Sequence, residues 1–383
     1  MRLLAIAPTA FYNDYGCHVR IRGQLDSLQA RGYAVHLVTY PVGDDVPGFP
    51  VTRPLLPGLR QMPVGSSRRK TLLDMLLGPT ALAAAIRFRP RIIHAYLHEG
   101  VLIGWMLSRL LDKPLTFDYQ GSLTAEMITH RFLDANARLH NPLARLERWL
   151  NHQPQAIFTS TQHAQNALQQ QGIASETLHF LPDAVDPAIF HPQTPDPGLQ
   201  QQLGLHPDTP TCVYLGLLAP YQGIDLLLNA IARLPENLAL QCLVMGFPHV
   251  ARYQKMAESL NIAQKVHFTG PIPYQQAPRY LALGNLAVAP KLATSEGSGK
   301  LLPYMSMALP IVATDTPAHR QYLDELALYT PPRVDALART LTVAFRDLKN
   351  LKAMGEKLRA RVQKSYTWQH TASKMTGIFE DML

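Results

Sequence analysis

Residues 212–234 read CVYLGLLAPYQGIDLLLNAIARL, and the fold turns on how this stretch is read. Cys212–Leu215 is an apolar run of strand length, Gly216–Gly223 carries the glycines and proline of a turn, and Asp225–Leu234 has the apolar spacing of a helix. Strand, turn and helix in that order form half of a βαβ crossover, the unit from which parallel sheets flanked by helices are built. The alternation continues downstream. Ala239–Met245 reads as a strand, Val250–Leu260 as a helix and Val266–Thr269 as a strand. Leu286–Ala289, a helix near Lys300–Met307, and Ile311–Thr314 complete that array. Upstream lies a second array, with strands at Leu3–Ala7, Val35–Thr39, Ile92–Ala95, Leu115–Phe117, Ala156–Thr159 and Thr177–Leu181, and a helix at His18–Ala30. Between the two, Pro182–Pro210 holds seven prolines and breaks both periodicities. The expected architecture is therefore α/β. Two Rossmann-like domains, residues 1–185 and 211–365, are joined by a linker at 186–210 and face each other across a cleft. In open sheets of this kind ligands bind beyond the carboxyl ends of the strands, so function is sought in the loops that follow them.

A chain of 383 residues with 47% hydrophobic side chains is ample for two packed cores and excludes a disordered protein. Cys17, Cys212 and Cys242 are scattered and odd in number, which points to a reduced, cytoplasmic protein without a disulfide framework. The N-terminal MRLLAIAPTA reads as a first strand rather than a signal peptide, because its apolar run is brief. The most apolar stretch, Leu72–Ile86, is interrupted by Asp74 and Pro79 and falls short of an uninterrupted membrane span. The net charge of +8 is shared evenly between the halves. Locally it is uneven: Arg53–Arg91 contains eight Lys and Arg and one acid, Asp74, interleaved with leucines. Such a basic, apolar region suits anionic headgroups or a lipid-linked phosphate, and so a peripheral place at the inner face of the cytoplasmic membrane. A solvated loop followed by a core helix is the alternative. Nucleic acid is not expected, since no aromatic stacking platform accompanies the charge.

Two glycine loops could approach phosphate. The first ends at Gly16, before a helix, where backbone N–H groups are free to meet an anion. The second, SEGSGKLLPYM at Ser295–Met305, combines exposed amides, a hydroxyl and the cation Lys300, which is the donor set a diphosphate needs. It is not a P-loop: Thr294 stands where the upstream glycine is required, and Leu301 replaces the metal-binding Ser or Thr. No Asp-x-Asp, His-Glu-x-x-His or Gly-x-Ser-x-Gly occurs, and His94 and His98 bracket a strand end, so no metal site is expected.

With these pieces in order, the chain resembles the family-4 glycosyltransferases of the GT-B fold over nearly its whole length. The resemblance rests on YGCHVRIRGQLDSLQARGYAVHLVT, FDYQGSLTAEM, LPDAVDPAIFHP, YLGLLAPYQGIDLLLNAIA, VHFTGPIPYQQAPRYLALGNLAVAP, SGKLLPYMSMALPIVATD and YTWQHTASKMTGIFEDML, seven segments in register. It implies a hexosyltransferase-type enzyme that uses a nucleotide-sugar donor, with retention of configuration and without a metal or other cofactor. A role in polysaccharide or glycolipid assembly, with a saccharide or lipid-linked acceptor, follows from the same likeness. So does a C-terminal helix, 366–383, that crosses back to the first domain.

The resemblance also implies roles for residues. Gly16 would approach the phosphates, Pro271 and Ile272 would flank the base, and Ser298, Gly299 and Lys300 would grip the diphosphate, with Tyr221, Gln222, Lys291 and Leu301 also on the donor side. Several positions depart from the family's pattern. Leu217 and Gln222 stand where Arg and Lys are common, which leaves Lys300 and Lys291 as the available cations. A carboxylate that often holds the ribose is replaced by Pro303, and Glu296 is the nearest substitute. The histidine usual near the anomeric carbon is Gln120, with Asp118 two residues earlier. Glu296, Lys300, Gln120 and Asp118 are thus the catalytic candidates. His98, Glu99, Arg68, Arg69 and Lys70 are the acceptor-side ones. Two alternatives remain open at this point: a degenerate GT-B module that binds without turnover, and a nucleotide-sugar epimerase.

Overall fold

The computed structural model describes residues 1–11, 16–44, 47–56, 68–129, 140–292 and 298–383, with only the backbone of Arg68, Arg69 and Thr129. The chain divides into two compact units, one of Met1–Pro182 with Trp368–Leu383, the other of Asp183–Thr367.

The first unit is built on seven parallel strands: β1 (Arg2–Ala7), β2 (Ala34–Thr39), β3 (Val51–Thr52), β4 (Ile92–Tyr96), β5 (Leu115–Tyr119), β6 (Ala156–Thr159) and β7 (Leu178–Phe180). Their order is β3-β2-β1-β4-β5-β6-β7. The strands are apolar along their length because both faces are covered, as a parallel sheet requires. Side chains alternate across the sheet, so Leu4 and Ile6 enter one core while Leu3, Ala5 and Ala7 enter the other. The second core is closed by the C-terminal helix Trp368–Asp381, which packs on helix Gly16–Ala30. Trp368, Ala372, Met375 and Phe379 are buried at helical spacing along one side. The contact depends on Gly23, where a Cβ would lie 2.1 Å from the Trp368 ring.

The second unit repeats the plan with six parallel strands: β8 (Thr211–Leu215), β9 (Gln241–Met245), β10 (Val266–Gly270), β11 (Leu286–Ala289), β12 (Ile311–Thr314) and β13 (Leu328–Thr330). The order is β10-β9-β8-β11-β12-β13. Cys212 and Tyr214 point to one core, and Val213 to the other. Strands β3 and β13 are absent from the sequence reading, since two or three residues are too few to show a period.

The segment expected as a linker, 186–210, is corrected. It lies inside the second unit, with Phe190, Leu199 and Leu205 buried in its core. It also contains a helical turn, Pro197–Gln202, capped by the Asp196 carboxylate on the N–H of Gly198 and Leu199. Proline broke the periodicity there without freeing the chain, because Pro197 sits at a first-turn position that needs no N–H.

Candidate functional site

In the second unit the loops at the carboxyl ends of β8, β9, β11 and β12 converge. After β8, Gly216 adopts φ 146°, and a Cβ there would stand 2.9 Å from Lys300 Nζ. Only glycine leaves the lysine this room. After β9, a Cβ on Gly246 would meet the Gly216 carbonyl at 2.0 Å, so the two loops pack backbone to backbone. The turn Pro220–Gln222 ends in Gly223 at φ 79°, where any side chain would strike the Pro290 carbonyl beyond β11. Leu292 N–H donates to the Tyr221 carbonyl across the same contact.

Lys300 lies over the Tyr214 ring, with Nζ 4.4 Å from its centroid and 3.4 Å from its hydroxyl. That hydroxyl donates to the Leu217 carbonyl at 2.8 Å. Burial, and then the positive charge of Lys291, pull the Lys300 ammonium down to about 7. Its neighbour Ser298 is buried and stands 3.1 Å from His319 Nε2. His319 Nδ1 is 2.7 Å from the Thr314 carbonyl, which accepts only, so Nδ1 carries the proton and Ser298 donates to Nε2. Burial, reinforced by Lys300 and Lys291, lowers His319 to about 4 and keeps it neutral. Thr314 Oγ1 in turn donates to the Lys291 carbonyl at 2.6 Å. A neutral relay therefore fixes the serine while the lysine is held over an aromatic face.

His319 escaped the sequence reading. Its signal was Thr316-Pro317, a cap and first-turn proline, with the Thr316 hydroxyl accepting the His319 N–H at 3.2 Å. The remaining donor-side expectations divide. Gly299 and Pro271 are exposed and Ile272 is half-buried against the core. Lys291 is buried, and Gln222 is buried with Oε1 lacking a hydrogen-bond partner among the described residues. Leu301 is corrected: its side chain is wholly inside the hydrophobic core and is closed to a ligand. Glu296 lies outside the described residues.

In the first unit Asp118, at the end of β5, is fully buried. Arg20 grips it with Nε 2.9 Å from Oδ2 and Nη2 2.6 Å from Oδ1. Gln24 and Gln120 each donate to it at 3.0 Å. Burial pushes the carboxyl up, but Arg20 outweighs that and holds it below its ordinary value. Arg20 also donates to the Leu181 carbonyl. Asp118 is corrected accordingly, from catalytic candidate to a saturated carboxylate that ties the first helix to the sheet and sets the amide of half-buried Gln120. His98 is corrected in the same way. It is buried on Phe117 and Tyr119, donates from Nε2 to Asn151 at 3.1 Å, and is shifted down chiefly by burial.

Gly16 opens helix Gly16–Ala30 and is exposed, and among the described residues nothing lies within 4 Å of where a Cβ would be. Lys70 is near enough for its charge to act on Cys17, His18 and Asp74. Burial lifts Asp74 to about 6 while it accepts from the Tyr40 hydroxyl at 2.5 Å, and Glu99 adds to that lift. Lys70, Asp74 and Glu99 are thus brought to one end of the sheet with the start of helix Gly16–Ala30. Arg68 and Arg69 begin the same helix as Lys70. Among the described residues no three His, Cys, Asp or Glu converge as a metal-holding group.

Comparison with known proteins gives two family matches: residues 197–361 match Glycosyl transferases group 1, and residues 15–184 match a Glycosyl transferase 4-like domain. A phosphatidylinositol N-acetylglucosaminyltransferase component from Arabidopsis thaliana is 25% identical over 60% of this chain and 49% of its own length. A D-inositol 3-phosphate glycosyltransferase from Jonesia denitrificans is 24% identical over 76% of this chain and 71% of its own. The chain spans between 49% and 60% of the first curated relatives it matches. Sucrose-phosphate synthase from Thermosynechococcus elongatus superimposes with a TM-score of 0.83 at 18% identity, covering 99% of this chain and 98% of that one. Anabaena HepE, solved with UDP-glucose, gives 0.77 at 15% identity over the whole of both chains. At these identities the structures speak for the fold alone.

Proposed function

Since this chain belongs to the group 1 glycosyltransferases, with the GT-B fold and a 4-like N-terminal domain, we propose that it moves a hexosyl group from a nucleoside-diphosphate sugar to a saccharide or lipid-linked acceptor. The transfer retains configuration and uses no metal. The second unit holds the donor, and the first presents the acceptor. The observation that carries this reading is Lys300, a cation kept over Tyr214 beside a serine fixed by His319.

As the bond from the anomeric carbon to the diphosphate oxygen breaks, negative charge grows on the leaving diphosphate, and the acceptor oxygen takes its place on carbon while its proton passes to the departing diphosphate oxygen. A preorganised cation stabilises that growing charge more than the ground state, which is what lowers the barrier. Lys300 becomes fully protonated as the diphosphate approaches, since an adjacent anion favours its charged form. On the acceptor side Lys70, Glu99 and the amide of Gln120 meet the incoming hydroxyl. The basic Arg53–Arg91 stretch favours an acceptor at an anionic membrane, with the enzyme peripheral at the cytoplasmic face.

The test is a thermal-shift screen of UDP, GDP, ADP and their sugars, followed by NMR of the product's anomeric proton with and without chelator. A ligand at about 100 times its dissociation constant adds about 2.7 kcal/mol to stability. A chelator-resistant product with the donor's anomeric configuration is the expected result. Inversion or chelator-sensitive turnover overturns those parts of the reading, and failure of every nucleotide overturns the donor site. A second reading is motivated by Leu217, Gln222, Pro303 and Gln120: a module that binds nucleotide without turnover. Binding with neither transfer nor donor hydrolysis selects it.

A further inference from the structure

Large apolar side chains are exposed very unevenly. Of thirteen among the described residues, eight lie on three helices of the first unit: Leu72, Met75 and Ile86 on Arg68–Phe88, Leu102, Met106 and Leu110 on Leu97–Leu111, and Leu146 and Trp149 on His140–Asn151. The middle helix touches both others, on one side of the seven-stranded sheet. Leu102, Met106 and Leu110 recur every four residues and form one stripe along it. Trp149 meets Trp105 edge to face at 4.9 Å, which joins the middle helix to the third.

The residues Lys70–Phe88 have the length and apolarity to cross a membrane. Their inner side, however, with Leu73, Leu77, Ala81 and Ala85, is packed into the core, so the helix lies on the unit and shows its other side outward.

The charge around this face is cationic. Arg87, Arg89, Arg91, Arg109, Arg145 and Arg148 are exposed on or beside the three helices. Of the acids there, Glu147 is buried and bonded to Thr124, and Asp74 is bonded to Tyr40, which leaves Glu99 and Asp112. At the far end of the middle helix a pocket of about 480 Å³ is lined by Trp105, Arg109, Asp112, Lys113, Gln153 and Gln155, among others. At a rise of about 1.5 Å per residue, Arg109 and Asp112 of this pocket lie roughly 15–20 Å along the helix from Glu99, at the end away from the acceptor-side residues.

We propose that this three-helix face is the surface on which the protein rests against an anionic lipid bilayer, with the pocket of Arg109 and Lys113 taking a lipid phosphate. An apolar stripe supplies insertion and a basic rim supplies attraction, the combination that holds a protein in the plane of an anionic interface. A face meant for water carries neither in such density. The inference deepens the membrane-directed part of the proposed function, but its test reads binding alone, and nucleotide binding is measured separately.

The experiment is co-sedimentation of the full chain with vesicles of phosphatidylcholine, alone or with phosphatidylglycerol, alongside analytical ultracentrifugation without lipid. The expected result is binding to the phosphatidylglycerol vesicles only, weakened by salt. Met106→Glu with Leu110→Glu should cut it about tenfold or more, and so should Arg109→Glu with Lys113→Glu. The same charge change on helix Leu348–Ser365, Lys349→Glu with Lys352→Glu, should cut it much less, and all three pairs should keep nucleotide binding. Equal binding to neutral vesicles overturns the proposal, as does indifference to the first two pairs. A lipid-indifferent dimer that Met106→Glu and Leu110→Glu split overturns it in favour of self-association.

Discussion

Asp118, fully buried, and Lys300, half-buried, are both charges at the carboxyl edge of a parallel sheet, one in each unit, and they are treated in opposite ways. Asp118 accepts from Arg20, Gln24 and Gln120, and its charge is stabilised from within. Lys300 has an aromatic face, a hydroxyl and a second lysine nearby, and among the described residues no carboxylate pairs with it. The difference separates a charge that holds the fold from one that is kept for a ligand. A buried ion whose partners are supplied by its own chain resists change. One whose partner is missing has its proton affinity pulled toward neutrality and regains it when an anion arrives.

The strongest way to break the contrast is Asp118→Asn, which leaves Arg20 buried without a counter-ion. It should cost about 3–5 kcal/mol, read as a fall in the urea midpoint. Replacing both partners by apolar residues, Asp118→Leu with Arg20→Met, should recover much of the loss, which would mark the pair as structural. A small effect of Asp118→Asn would refute that role. The pair also has an acid signature. The folded carboxyl is held low by Arg20, so its contribution is present above the ordinary aspartate range and lost as pH falls through the folded value.

Lys300→Ala should act the other way round. Nucleoside diphosphate binding should weaken by about 1.5–3 kcal/mol, a factor of ten or more by calorimetry, because a charge-assisted bond is lost. The melting temperature without ligand should hold or rise, since an uncompensated ammonium has been removed. Unchanged affinity would take this residue out of the site.

A pH series sharpens the point further. The free ammonium titrates near 7, while an adjacent diphosphate keeps it protonated, so binding takes up a proton above that value. Affinity should therefore fall as pH rises from 7 to 9, by at most tenfold per unit. Lys300→Arg, which stays charged, should flatten the profile if it still binds. The smallest effect is expected from Gly216→Ala. Its Cβ would displace the end of the Lys300 side chain at 2.9 Å, and the backbone at φ 146° is strained by any side chain, so binding should weaken severalfold and the melting temperature should fall with it. An effect equal to Lys300→Ala would mean that the loop itself grips the ligand.

Much of this was legible in the residues. The strands Ala156–Thr159, Leu286–Ala289 and Ile311–Thr314 stand at their expected limits, because short apolar runs between turns leave a buried parallel strand little freedom. The turn of Ser298, Gly299 and Lys300 was legible for its donors. The partners of those donors were not. His319 reaches Ser298 from 21 positions away, and only its cap at Thr316 marked the spot. Arg20 and Gln24 had a fainter signal, as polar residues on the inner side of an amphipathic helix. Leu301 was misassigned because closeness to Lys300 in sequence says nothing about which side of a helix faces the core.

The sequence by itself determined the two parallel-sheet arrays and the placing of glycine, serine and lysine at a loop that follows a strand. These are local matters, settled by period, turn chemistry and propensity over a few residues. Only the tertiary structure decided which charge was spoken for. Arg20 and Asp118 are 98 residues apart, and whether an ion is stabilised or left waiting depends on what folding brings within about 3 Å of it, a distance that no local pattern encodes.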